Sequence, residues 1–320
     1  MISNTLFFNK TKTPLCKVAI LLCTYQGQDF LTEQLQSFEV QSHSSWEVWA
    51  SDDGSHDGTL AILELYKNNW PEGSLNILAG PARGYVANFL SLTSNEKIQA
   101  DYFAYSDQDD IWNADKIERA VNWLNTIPSN IAALYCSRTC LVDSNNNEIG
   151  LTPLFSKCPS FANALIQNIG GGNTMIFNQA ARKLISNSTE NFSVVCHDWW
   201  AYMVVSGCGG EVFYDSIPTI RYRQHNENLV GMNSGWKARL KRIRMLWQGQ
   251  FRIWNDINTT ALRKLNDNLT PQNREILNSF SQAREMSFVP RLIFLKRCGI
   301  YRQTLLGNLG LMVAALLKKI

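Results

Sequence analysis

The chain has 320 residues, 45% of them hydrophobic and 18% charged. This ordinary globular balance excludes disorder and collagen-like repeats and suggests one large α/β domain, or a catalytic domain with an appendage. The net charge of +3 conceals a split: residues 236–320 carry 16 Lys and Arg against 4 Asp and Glu, leaving 14 basic and 23 acidic residues in 1–235.

Residues 17–24 (KVAILLCT) form a continuous apolar run bounded by turn-prone residues, the pattern of a strand buried on both faces. A polar loop follows, and Phe30, Leu31, Leu35 and Phe38 then recur at helical spacing. Residues 46–50 read as a second strand closed by Ser51-Asp52-Asp53-Gly54-Ser55, and 59–70 as a helix with Leu60, Leu63 and Tyr66 on one face. A strand at 75–78, a helix at 87–92 and a strand at 102–105 complete the series, the last running into Asp107-Gln108-Asp109-Asp110. Such alternation predicts an α/β fold with a mostly parallel sheet flanked by helices. The polar loops 24–29, 51–57 and 106–110 then fall at the carboxyl ends of strands, where these sheets bind ligands. After residue 235 the character changes. Residues 237–254 place Leu240, Ile243, Leu246, Trp247 and Trp254 at helical spacing among basic side chains, which predicts a basic, amphipathic helical region over 236–320.

The N-terminal residues are too short and polar for a signal peptide, and the uncharged stretch 303–317 is too short to span a bilayer. The eight cysteines show no C-x-x-C pair or companion histidines, so reduced thiols of a cytoplasmic chain are expected.

Three carboxylates within Asp107–Asp110 repel one another unless a cation or a hydrogen-bond network neutralises them. Mg²⁺ or Mn²⁺ suits such oxygen donors and keeps phosphate oxygens as further ligands; the alternative is a solvated turn capping the next helix. Asp52 and Asp53 could accept from a nucleobase or ribose, or simply satisfy their own Asp/Gly turn. Tyr25 offers a ring for stacking on a base. In His197-Asp198-Trp199-Trp200, Asp198 is a candidate general base for a hydroxyl, or a helix cap ahead of buried aromatics. The segment 221–228 (RYRQHNEN) offers cations and an imidazole to a diphosphate or metal. Gly170–Gly172 with Asn173 would let a ligand approach the backbone closely.

These segments occur in a familiar order: ILLCTYQGQDFLTEQLQSF, WEVWASDDGSHDGT, GYVANF, YSDQDDIW, GGGNTM, HDWW and YRQHNENLVG, together spanning residues 17–231. In this the chain resembles glycosyltransferase family 2 enzymes of the GT-A fold, most of all the rhamnosyltransferase-like branch that builds bacterial surface polysaccharides. Gln26 stands where the family usually has Asn, and His56 where it has Thr. The resemblance implies that residues 1–235 form the catalytic domain. Thr24, Tyr25 and Asp53 would hold the nucleotide base, with Asp52 beside them, and Arg83, Asn88 and Gln108 would also contact the donor. Asp107 would face the ribose. Asp109 would ligate the divalent ion on the diphosphate, supported by Asp110 and by His225 from the far side. Asp198 would be the base, and Gly171, Gly172, Asn173, His197, Trp199 and Trp200 would border the acceptor.

The implied reaction is inverting transfer of a sugar, best read as L-rhamnose from dTDP-rhamnose, to a hydroxyl of a lipid-linked O antigen or other surface polysaccharide. A UDP-hexose or UDP-N-acetylhexosamine donor is the alternative, and a non-catalytic nucleotide-sugar-binding assembly protein is the reading from another class. The basic tail would then bring the enzyme to the cytoplasmic face of an anionic inner membrane. Packing on the catalytic domain or on a second subunit of a homodimer is the alternative for its apolar face. No recognised motif supports nucleic-acid binding.

Overall fold

The computed structural model describes residues 15–187, 193–224 and 244–320. The first half is built as the alternation predicts: β1 Val18–Thr24, α1 Leu31–Glu39, β2 Trp46–Asp52, α2 Thr59–Asn69, β3 Leu75–Ala79, α3 Tyr85–Ser94 and β4 Tyr102–Ser106. These strands lie side by side as β3-β2-β1-β4, every pairing parallel. All seven residues of β1 are buried, as the unbroken apolar run 18–23 requires of a central strand covered on both faces.

The second half departs from that pattern. It contains β5 Ile111–Trp112, α4 Lys116–Leu124, β6 Ala133–Val142, β7 Glu148–Leu151, α5 Phe161–Ala164, a 3₁₀ turn at Gly172–Thr174, β8 Ile176–Asn178, α6 Gln179–Asn187, α7 His197–Gly207 and β9 Glu211–Arg223. The full sheet runs β3-β2-β1-β4-β8-β6-β9-β5, with β7 on β6. The three-residue β8 is antiparallel to both β4 and β6, and β5 is antiparallel to β9, while β6 and β9 are parallel. The sheet is therefore mixed: the βα repeats pair with one another only in parallel, and β6–β9 is the parallel pair of the second half. Short strands reached through loops are not bound to the parallel geometry that helical crossovers impose. The β5–β9 pairing sets Ile111 opposite Arg221, which brings the end of β9 to the Asp107–Asp110 loop.

Among the described residues, four further helices with full bounds follow: α8 Gln250–Lys264, α9 Pro271–Glu285, α10 Phe288–Arg297 and α11 Leu305–Leu316. Thr270 caps α9 by accepting from the Asn273 N–H at 3.2 Å, with Pro271 in the first turn, and Thr304 caps α11 through Gly307 N–H. Leu262, Phe280, Ala283 and Ala315 share one hydrophobic core with Leu21, Phe103, Phe177 and Met203, so the basic helices rest on the sheet's helical layer. Gly207, at the end of α7, is part of that seam: a β-carbon there would lie 2.8 Å from Leu269 and 2.9 Å from Phe161. Arg291 is fully buried and donates to the carbonyls of Ala283, Arg284, Met286 and Ala315, tying α9, α10 and α11 together.

The predicted amphipathic stretch 237–254 is only partly within the described residues, since Leu240 and Ile243 lie outside them. Of its remaining apolar residues, Leu246 and Trp254 pack against the core, and Trp247 is exposed. Among the described residues no helix is long and apolar enough to cross a membrane. All eight cysteines are free.

Candidate active site

Three loops at the carboxyl ends of β1, β2 and β4 interlock, as parallel strand ends require. Asp52, the last residue of β2, is buried and accepts from Thr24 Oγ1 (2.8 Å), Ser55 Oγ (2.6 Å) and the N–H groups of Gly54 and Ser55. Both predicted donor contacts, the Thr24 hydroxyl and the Asp52 carboxylate, are thus spent on each other and on the turn. Asp53 accepts from the N–H groups of Ala82 (2.6 Å) and Gly84 (2.8 Å), and so anchors the loop ahead of α3. Gly84 has φ +86°, a conformation that favours glycine. Exposed Arg83 sits between those two amides.

Asn88 does not face a donor. It is buried, its amide donating to the Ser51 carbonyl (2.8 Å) and accepting from the Ser51 hydroxyl (2.6 Å), which fastens α3 to β2. Gln108 bonds both ways with the Tyr25 backbone, accepting from its N–H and donating to its carbonyl, each at 2.8 Å. It passes directly over Gly27, where any side chain would collide with it. Tyr25 itself, held by its main chain, is 57% exposed and open to stack on a ring.

The carboxylates of the Asp107–Asp110 loop divide into two kinds. Asp107 and Asp109 are half-buried. Burial, with the charges of Asp109 and Asp198 beside it, pushes Asp107 up to about 8. Asp110, predicted to support a metal, is fully buried: Asn173 Nδ2 donates to it, as does the Arg223 N–H at 3.3 Å. Burial and the neighbouring carboxylates push it upward too, with Lys116 lying behind it. The Lys116 ammonium sits 3.7 Å over the Trp112 ring, and burial pulls it down to about 7. Asp110 is therefore a brace rather than a ligand.

That brace carries the design of the site. Asn173 belongs to the 3₁₀ turn Gly172–Thr174, and the N–H of the adjacent Gly172 donates to Asp198 Oδ2 at 3.0 Å. One turn thus joins the donor-side loop to the first turn of α7, linking residues that lie 63 and 26 positions apart in sequence. Gly171 closes the turn by accepting from Thr174. Gly172 has no room for a β-carbon, because the His197 ring lies over it.

His197 is buried in an aromatic box, stacked on Phe89 at 3.9 Å between centroids and meeting the edges of Tyr105 and Tyr85. Among the described residues neither ring nitrogen has a hydrogen-bond partner, and burial lowers the imidazole to about 4. Cys196, His197 and Asp198 bring their donor atoms within 4.8 Å of one another. Burial, however, raises the Cys196 thiol well above its usual range, so this trio suits hydrogen bonding better than a hard ion.

The two tryptophans predicted at the acceptor serve elsewhere. Trp200 is fully buried in the core, and Trp199 is buried with its indole donating to the Ala164 carbonyl at 2.7 Å. Helical geometry turns these positions away from the face that bears Asp198.

Arg223, offered in the sequence only as one cation of a diphosphate-binding segment, proves to be a buried clamp. It donates to the Asp109 carbonyl (3.0 Å), the Ser144 carbonyl (2.8 Å) and Glu33 (2.6 Å), with its guanidinium 4.6 Å over the Phe30 ring. Arg221 is likewise turned away, toward Asn146 and Glu148. Their only signal in sequence was a pair of arginines two residues apart in the segment 221–228. His225 lies outside the described residues. A separate cleft of about 840 Å³ opens near the opposite end of α7, lined by Ser160, Ser206, Asn273 and Tyr301 among others.

Comparison with known proteins agrees with this geometry. The family model "Glycosyl transferase family 2" matches residues 19–185. A "dTDP-rhamnosyl transferase RfbG" of Shigella flexneri is 32% identical over 231 residues, 69% of this chain and 78% of that protein. A "UDP-Glc:alpha-D-GlcNAc-diphosphoundecaprenol beta-1,3-glucosyltransferase WfgD" of Escherichia coli is 26% identical over 41% of this chain, which spans 48% of that relative. In fold, the chain is similar to S. aureus TarS 1-349 solved with UDP-GlcNAc, at 14% identity and TM-score 0.55, covering 88% of this chain and 90% of that one. With the family model matching more than half of the chain and the rhamnosyl transferase similar along most of its length, this protein belongs to glycosyl transferase family 2, as a nucleotide-sugar hexosyltransferase of polysaccharide biosynthesis.

Proposed function

We propose that the chain is an inverting, metal-dependent transferase that moves L-rhamnose from dTDP-L-rhamnose to a hydroxyl of a lipid-linked surface polysaccharide such as an O antigen. The observation that carries the chemistry is the Gly172–Asn173 turn, which holds Asp198 and the Asp107–Asp110 loop in one unit. The choice of sugar rests on the 32% identity to a dTDP-rhamnosyl transferase. The lipid-linked acceptor draws on the diphosphoundecaprenol in the name of the E. coli relative.

In this reading Tyr25 stacks on the nucleotide base, and Asp53 and Arg83 shape the donor pocket beside it. Asp107 faces the ribose, with Gln108 setting the loop. Asp107, Asp109 and Asp198 crowd the pocket with more negative charge than it can comfortably hold, as the raised Asp107 indicates. That charge and the oxygen donors fit Mg²⁺ or Mn²⁺, which Asp109 would hold, with His225 as the further ligand that the family resemblance implies. Such an ion would supply electrostatic stabilisation to a departing nucleoside diphosphate. Asp198 takes the proton of the acceptor hydroxyl. The acceptor oxygen bonds to the anomeric carbon from the face opposite the diphosphate as the carbon–oxygen bond to that group breaks. A β-linked donor therefore yields an α-linked product. Gly171 and Gly172 border the acceptor, with His197 packed behind them. Residues 1–235 act as the catalytic domain, and 236–320 serve contact with the cytoplasmic face of the membrane.

A donor panel tests this. Thermal stabilisation and chelator-sensitive transfer should be greatest with dTDP-L-rhamnose. Greater effects with UDP-glucose or UDP-N-acetylglucosamine would overturn the rhamnose assignment. Stabilisation by a nucleotide sugar with no transfer or donor hydrolysis would favour an assembly protein.

A further inference from the structure

The helix α11 is unlike the rest of the C-terminal region. Leu305, Leu306, Leu309, Met312 and Val313 are 83%, 70%, 59%, 51% and 47% exposed. Their spacing of i, i+1, i+4, i+7 and i+8 places them on one face, an arc of roughly 100–120° at 3.6 residues per turn. Ala314 and Ala315 hold the opposite side against the core, and the Ala315 carbonyl accepts from the buried Arg291 at 2.7 Å. The helix is thus fixed with an apolar stripe facing outward. Its neighbour α10 adds exposed Phe288, Val289 and Ile293.

Charge says what covers this stripe. From Met286 to Ile320 the chain has no Asp or Glu, but it has Arg291, Lys296, Arg297, Arg302, Lys318 and Lys319. Arg302 precedes α11, and Lys318 and Lys319 follow it. Lys319 donates to the main-chain carbonyl of Trp247 at 3.0 Å, so a residue with an exposed indole is tied to that end. A small cleft of about 120 Å³ lined by Arg252, Arg284, Arg291 and Lys318, with Glu285 and Ile320, lies near the same end. Leucines flanked by cations and a tryptophan match the profile of a bilayer interface, with an acyl zone beneath anionic headgroups. A two-fold contact with a second copy would instead set these cations against their own equivalents. At 12 residues, or about 18 Å, α11 is far short of the roughly 30 Å hydrocarbon layer, so it can lie in the interface and not cross it.

We propose that α11 is an in-plane membrane helix that buries Leu305, Leu306, Leu309, Met312 and Val313 in an anionic lipid surface, with Lys318 and Lys319 toward the headgroups. This rests on the membrane contact proposed above and narrows it from the whole 236–320 region to one helix. It does not depend on the identity of the donor.

The test is flotation of the full chain with vesicles of phosphatidylethanolamine and phosphatidylglycerol, and in parallel with pure phosphatidylcholine. The wild type should float with the anionic vesicles and much less with the zwitterionic ones. Leu306→Asp with Leu309→Asp should abolish flotation. Lys318→Gln with Lys319→Gln should weaken it roughly tenfold, given the usual attraction of each cation to an anionic surface. Leu306, Leu309 and Lys318 are exposed and Lys319 is half-buried, and an unchanged melting temperature and donor hydrolysis will show that both variants are folded. No flotation of the wild type, equal flotation on both lipids, or a solution dimer that the leucine variant converts to monomer would overturn the proposal. Each of these outcomes is read without transfer, so none bears on the choice of sugar.

Discussion

Asp198 and His197 are sequence neighbours whose surroundings assign them different tasks. Asp198 is held by a main-chain donor beside Asp107, whereas His197 is enclosed by Phe89, Tyr105 and Tyr85. Asp198→Asn keeps an acceptor for the Gly172 amide but cannot take a proton. Transfer should fall by about a hundred- to ten-thousand-fold while donor-induced thermal stabilisation persists. Wild-type turnover in that variant would remove Asp198 from the role. For His197 the sign of the pH effect follows from its lowered value, about 4 against 6.5. As pH falls from 6.5 toward 4, the unfolded chain takes up a proton that the folded chain refuses, so stability is lost across that window. The loss is of order 3 kcal/mol when complete. His197→Phe should show a smaller drop in melting temperature than the wild type across the same pH range. HDWW is unusual as a string and singles both residues out in the sequence, but it does not show the different surroundings that the fold gives them. The separate duties of Asp107, Asp109 and Asp110 could not be read. Their division depends on Asn173 and Arg223, which fold onto the loop from 63 and 113 residues away.

Among the elements, the βα repeats were legible because each strand is an apolar run and each helix has a periodic face. The predicted strand ends lie within two residues of β1 to β4. The second half was harder to read. The three-residue β8 and two-residue β5 are too short to express any periodicity, and their antiparallel placement is set by what they pair with. The 3₁₀ turn was visible only as glycines, with no sign that it would bridge a loop and a helix. Its tight seat under His197 has a measurable consequence. Gly172→Ala should destabilise the fold by about 1–3 kcal/mol, as overpacking does, by pressing on the first turn of α7. Its kcat should fall with it, since Asp198 lies in that same turn. Full activity with an unchanged melting temperature would mean that the turn yields freely.

For the whole molecule, the opposition between acidic body and basic tail was plain in the composition, but the location of the exposed apolar face was not. Amphipathic spacing shows that a helix has a face to cover, not what covers it. Leu246 and Trp254 are covered by this protein's own core, while the leucines of α11 are left outside. If the tail meets headgroups, the acceptor's carrier should determine how the reaction responds to salt. Transfer to an acceptor in anionic vesicles should decline as ionic strength rises from about 0.05 to 0.3 M. Transfer to a water-soluble acceptor analogue should stay nearly constant over the same range. Equal salt dependence for both would place the effect in the catalytic pocket.

The hydrogen bond from Gly172 to Asp198 also bears on how the enzyme can change over time. Its donor is a main-chain amide, which every amino acid except proline supplies. Point mutation can crowd this bond but can scarcely delete its donor. On the proposed mechanism, the residues facing the incoming sugar can therefore be exchanged one at a time while Asp198 stays tethered, and a family member built this way can acquire a new acceptor without first losing its chemistry.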